Sequence, residues 1–160
     1  MLLILTGIYI FVFIDGGSGG EEGPPSELGG YVLAEYISGE AAIQSLGSIH
    51  AFLPSNEYIV DGLVAVYTKD GDVVHIWMAV FISEEVALNL TQRMYLKMSE
   101  GGSQYSIPET LDLNGLTVYY GSGRGMYYFF FSYGESVVWI STSDPTSVKN
   151  AVIPELLDYI

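Results

Sequence analysis

The chain has 160 residues, of which nineteen are acidic and five basic, giving a net charge of −14 with no cysteine. That length suffices for one domain with a two-layer core, and the lack of cysteine excludes a disulfide framework, a thiolate metal site and a thiol nucleophile. The five cations, Lys69, Arg93, Lys97, Arg124 and Lys149, are scattered along the chain; they form no basic stripe, which excludes nucleic acid and disfavours anionic headgroups as partners.

Met1–Ile14 (MLLILTGIYIFVFI) carries no charge, and Thr6 is its one plainly polar side chain. As a helix it would reach about 21 Å, short of a hydrocarbon core of roughly 30 Å, and it lacks the basic start and small-residue cleavage site of a signal peptide. Two readings follow: the C-terminal part of a transmembrane anchor, or a donated strand. The second rests on Ile8–Ile14, β-branched or aromatic at every position, which suits addition to an open sheet edge of a neighbouring subunit. Asp15–Gly30 has seven glycines, two prolines and four acids, the composition of a flexible linker. The folded domain is expected over residues 31–160.

Tyr31–Ile37 reads as a strand, and Ser38 as the N-cap of a short helix over Gly39–Gly47. His50–Asp61 reads as a loop. Gly62–Thr68 and Val73–Ile82 are strands joined at Asp70-Gly71, a strong hairpin signal. Ser83 caps a helix over Glu84–Glu100, with acids at its positive end and Gly101-Gly102 as its stop. Val86, Leu90, Met94 and Met98 make its apolar stripe, with Glu85, Asn89, Arg93 and Lys97 on another face.

Asn114-Gly115, the preferred type I′ pair, joins strands at Leu111–Leu113 and Leu116–Tyr120. Leu116–Thr142 then forms a three-strand meander with nine aromatic residues among its twenty-seven. Each Phe or Trp buries roughly 150–250 Å², so the meander carries much of the core. Asp144-Pro145 opens a last helix over Thr146–Val152, which Pro154 interrupts before a resumption toward Tyr159. The expectation is an α+β fold, a mainly antiparallel sheet with helices on one face, in the order β-α-β-β-α-β-β-β-β-α.

Chemistry-bearing residues are few. His50 suits the C-terminus of the first helix, and His75 shares a strand face with Val73 and Trp77. Neither is accompanied by a zincin, nucleophile-elbow or P-loop motif. Gly121-Ser122-Gly123-Arg124-Gly125 superficially resembles a phosphate loop, but it lies between strands, and a wide glycine turn is the better reading. Arg124 is the only cation between Lys97 and Lys149; it suits either a nearby carboxylate or an anionic group on a partner. Asp70 and Asp72 lack the calcium-loop pattern. Asn89-Leu90-Thr91 is a glycosylation sequon.

Thr117 with Tyr119, Tyr128 with Phe130 and Ser132, and Trp139 with Ser141 form alternating sets of aromatics and hydroxyls. They are covered by another layer or offered to a partner. Tyr119, Arg124, Tyr128 and Trp139 are the candidate contact residues. No catalytic, metal or cofactor residue is assigned.

The segments LAEYISGEAAIQSLGSIHA, VAVYTKDGDVVHIWMAVFISEEVA and VYYGSGRGMYYFFFSYGESVVWIS resemble an uncharacterised family of archaeal membrane-anchored extracytoplasmic proteins, over about residues 31–145. The resemblance implies an extracytoplasmic, anchored location and brings no active site with it. The expected function is a non-catalytic tethered domain that binds a partner or ligand. The alternatives are a filament subunit donating Ile8–Ile14, and an enzyme using His75 or His50.

Overall fold

The computed structural model describes residues 23–49, 58–101 and 104–160. The apolar run Met1–Ile14, linker residues 15–22 and His50 lie outside the described residues. The elements run β1 (Glu27–Leu28), β2 (Tyr31–Ser38), α1 (Gly39–Ile49), β3 (Ile59–Lys69), β4 (Asp72–Phe81), α2 (Glu84–Ser99), β5 (Glu109–Leu113), β6 (Leu116–Gly123), β7 (Met126–Tyr133) and β8 (Ser136–Thr142). A final helix, α3, spans residues 145–159. The eight strands form one antiparallel sheet in the order β1-β2-β3-β4-β8-β7-β6-β5.

The expected hairpins form where their turn residues allow. Asp70 and Gly71, then Asn114 and Gly115, have positive φ, as type I′ turns require. Ser83 accepts a hydrogen bond from the Val86 N–H at 3.3 Å and caps α2. Asp144 caps α3 by accepting from the Thr146 and Ser147 N–H groups, both at 3.1 Å. These bonds, with one from the Ser147 hydroxyl as the largest influence, hold the Asp144 carboxyl below its usual range.

The class matches the expectation, and so does the element order once the short β1 is added at its start, but the helices are divided between the two faces of the sheet. Leu46 of α1 and Ala87 and Leu90 of α2 pack with Ala79, Phe81 and Val137 on one face. On the other, Val148, Val152, Ile153 and Leu156 of α3 pack with Val74, Ile76, Phe129, Phe131, Val138 and Ile140. The physical reason lies in β7. Tyr128, Phe129, Phe130 and Phe131 are all buried, and successive strand residues point to opposite faces, so both faces must be roofed.

Pro154 does not break α3. A π-helical turn at Val148–Val152 precedes it, with the Ile153 N–H donating to the Val148 carbonyl. That wide turn accommodates the missing proline donor and lets the helix continue.

The folded part also starts earlier than residue 31. Leu33 N–H donates to the Ser26 carbonyl at 2.9 Å, Leu28 is buried, and the Tyr67 hydroxyl donates to the Pro25 carbonyl at 2.9 Å. Residues 26–28 thus pair along Tyr31–Leu33, the first part of the outer edge of β2, and Pro24-Pro25 offer no N–H of their own for further pairing.

Burial, with a smaller contribution from Tyr159, pushes the Tyr67 phenol up to about 12 from an ordinary 10.0. Below pH 10 both states keep this proton; between about 10 and 12 the unfolded chain releases it and the native one does not, so stability falls as pH rises. Tyr67→Phe should cost about 1 kcal/mol at neutral pH through the lost hydrogen bond and make the alkaline decline shallower. Urea unfolding at pH 7 to 11 measures both.

Candidate functional site

Strand register assembles the aromatic sets on the face that carries α1 and α2. Trp139 lies opposite Trp77 of β4 and Phe130 of β7, and Phe130 opposite Tyr119 of β6. Trp139 stacks on Tyr128 at 5.1 Å between centroids and on Phe130 at 5.5 Å. Phe130 stacks on Tyr119 at 5.0 Å, and Tyr119 on Tyr95 of α2 at 4.6 Å. The row therefore runs from the sheet centre to α2. Offset aromatic pairs add about 0.5–1.5 kcal/mol each beyond area burial, which stabilises this face.

Of the candidate contact residues, Tyr128 belongs to the core: it is 2 % exposed, and its hydroxyl donates to the Ser106 carbonyl at 2.6 Å. Burial raises its pKa. Trp139 is half-buried, with the Tyr105 ring edge-on at 5.6 Å. Tyr119 is half-buried, and burial raises its pKa.

Arg124 sits exposed at the β6–β7 turn with φ 54°. Rather than a carboxylate, it engages Gln104 through Nε at 2.8 Å, with its guanidinium 5.6 Å from the Tyr105 ring centre.

The segment 104–106, which reads from the sequence only as part of a loop over Gly101–Pro108, explains the glycine motif by pairing along β6. The turn is tight, limited to Arg124-Gly125, whereas Gly121 and Gly123 are strand residues of β6. Tyr105 pairs with Gly123, and the Ser106 N–H donates to the Ser122 carbonyl at 2.7 Å. A Cβ on Gly121 would stand 2.5 Å from both the Ser106 and Tyr128 hydroxyl oxygens. The glycines let this strap and the Tyr128 hydroxyl approach the strand.

Between α2 and the β6–β7 side of the sheet lies an open groove of about 200 Å³, lined by Leu88, Gln92, Leu116, Thr117, Tyr119 and Ser132 among others. Tyr119 is the one candidate contact residue in its lining. Asn89 is exposed on α2.

Of the other polar candidates, His75 and Asp72 have structural partners. His75 stacks on Trp77 at 5.5 Å; burial lowers its pKa, partly opposed by Glu35. Asp72 accepts from the Ser143 hydroxyl at 2.8 Å. Among the described residues, no three His, Asp or Glu side chains gather as a metal site.

No protein-family model matches the chain, and no curated protein matches its sequence. The fold is similar to that of the extracellular domain of PknH from Mycobacterium tuberculosis, with a TM-score of 0.44 and 11% identity, covering 78% of this chain and 77% of that one.

Gly121→Ala should destabilise the domain by about 1–3 kcal/mol through overpacking and alter the near-ultraviolet dichroism of the Trp139–Tyr128 stack. Gly125→Ala, with open space around its Cβ but φ 78°, should lower stability through backbone strain alone and leave that spectrum unchanged.

Proposed function

We propose that this protein is a non-catalytic extracytoplasmic domain, tethered to the membrane by its apolar N-terminal segment, that binds a partner through the aromatic face and the groove beside α2. The observation that carries the reading is that groove. Tyr119 in its lining is held by stacking on Tyr95 and Phe130, and the lining mixes Leu88 and Leu116 with the polar groups of Glu84, Gln92, Thr117 and Ser132. An open groove of this size suits a protruding side chain or short segment of a partner better than an enclosed substrate. The tether is supported by composition: an uncharged apolar run, then a glycine-rich acidic linker, then the folded domain.

The test uses the lack of native cysteine. Full-length protein with Asp70→Cys should partition with membranes and react with a membrane-impermeant maleimide from outside the cell. Release on deletion of residues 1–14 is expected, and a fully soluble full-length chain would overturn the tether.

A second reading, strand donation by Ile8–Ile14, draws on the sheet edges. β5 has no partner on its outer side among the described residues, whereas residues 26–28 pair along the first part of β2. Nine residue steps from Ile14 to Gly23 reach at most about 32 Å, and a place beyond β5 lies eight spacings from β1, about 38 Å. Donation would therefore join successive copies head to tail. Filaments that disappear on deletion of residues 1–14 would support it; a monomer at every concentration would remove it.

A further inference from the structure

β5 is a terminal strand of the sheet, and among the described residues nothing pairs with its outer side. α1 packs mainly on β3, and α2 on β7 and β8, inboard of this edge. Which peptide groups of β5 face outward follows from its hairpin. Asn114 and Gly115 both have positive φ, the type I′ form in which the flanking pair, Leu113 and Leu116, is hydrogen-bonded. Alternation along the ladder then turns the peptide groups of Leu111 and Glu109 inward to β6 as well, and aims the N–H and C=O groups of Thr110 and Asp112 outward. The next outward positions are Pro108, which has no N–H, and the turn residue Asn114.

Native edges are commonly protected by charge, and this one holds two acids. Both are turned back onto their own hairpin: the Glu109 carboxylate accepts from the Tyr120 hydroxyl at 2.8 Å, and the Asp112 carboxylate from the Gly115 N–H at 3.1 Å. Leu111 and Leu113 pack against the main core and remain partly exposed at the sheet border.

We infer that β5 pairs with β5 of a second copy of the chain, antiparallel about a two-fold axis at Leu111, so that the two sheets become continuous. The inference is independent of the tether and the groove, and it gives this edge a different occupant from the donated strand considered above. Thr110 then lies opposite the partner's Asp112, and Asp112 opposite the partner's Thr110, so every outward N–H and C=O of the two residues is used. Leu111 meets the partner's Leu111 as a non-hydrogen-bonded pair, the kind in which side chains come closest. Charge agrees with this register, because no carboxylate faces another and Glu109 lies opposite the partner's Leu113. Moving the axis to Asp112 would set that carboxylate against itself, and moving it to Thr110 would set Asp112 against the partner's Pro108 and lose a donor. The contact is isologous and closes at two copies.

One five-residue strand buries less than the roughly 1,200 Å² of stable interfaces, and each copy carries a charge of −14. The dimer is therefore weak, and salt strengthens it by screening that repulsion.

The chain has no cysteine, so single introduced thiols report the register. The experiment oxidises full-length protein in detergent solution and reads covalent dimer on non-reducing gels. Leu111→Cys should cross-link to itself, because a non-hydrogen-bonded pair has the separation that a disulfide spans. Glu109→Cys and Leu113→Cys should each stay monomeric alone and cross-link when mixed. Thr110→Pro removes an outward N–H and leaves the β5–β6 ladder intact; it should lower the Leu111→Cys cross-link at least fivefold with the far-ultraviolet dichroism unchanged, and added salt should raise that cross-link. Absence of dimer both at 111 and in the 109/113 mixture would overturn the inference. Equal cross-linking of all three single variants would overturn it as random collision. Loss of the 111 cross-link on deletion of residues 1–14 would also overturn it and assign the edge to the donated strand.

Discussion

The structure depends on burying β7 from both sides. Four consecutive aromatic side chains, Tyr128 to Phe131, leave no polar face to present to water, and at roughly 25 cal/mol per Å² they represent one of the largest apolar contributions available to this domain. A strand with no wet face belongs in the sheet interior, and β7 lies between β8 and β6. Two roofs are then needed. One is made by α1 and α2, and the other by α3, which the Pro154 position would otherwise have shortened. The π turn ahead of that proline is how the second roof keeps its length.

A second constraint acts at the edges of the open sheet. The start of the β2 edge is paired by the chain's own incoming segment, held by the Tyr67 hydroxyl on the Pro25 carbonyl and by Gly29, whose N–H donates to the Glu155 carboxylate at 2.6 Å. Gly29 adopts φ 59° and leaves no space for a Cβ beside Val152, so the incoming chain is fitted directly against α3.

The aromatic face owes its character to partial cover. On the α1/α2 side, α2 meets the row at Tyr95, and the strap at Gln104–Ser106 covers Tyr128 and abuts Trp139. What is left is a narrow groove along α2 instead of a broad aromatic platform. Arg124 serves the strap, holding Gln104 and Tyr105, in place of the carboxylate its position in an acidic chain suggested.

Local signals alone determined much of this protein. Asp70-Gly71 and Asn114-Gly115 dictate their turns because few other pairs tolerate positive φ at both positions, and Ser83 and Asp144 dictate helix starts because their side chains satisfy otherwise unpaired N–H groups. The alternation within Leu116–Thr142 put Tyr119, Phe130 and Trp139 each in a mixed set on its own strand, and the register decided that those sets share one face. Tertiary structure decided what covers that face, since cover comes from segments distant in sequence. Tyr128 is core because Ser106 comes to it from 22 residues away, and Gly121 and Gly123 are strand glycines because Tyr105 and Ser106 need the space a Cβ would fill. The run from Tyr128 to Phe131 did carry the sign of two-sided burial in its lack of alternation. Which helices would supply the two roofs depended on packing between elements, a long-range property that no local window contains.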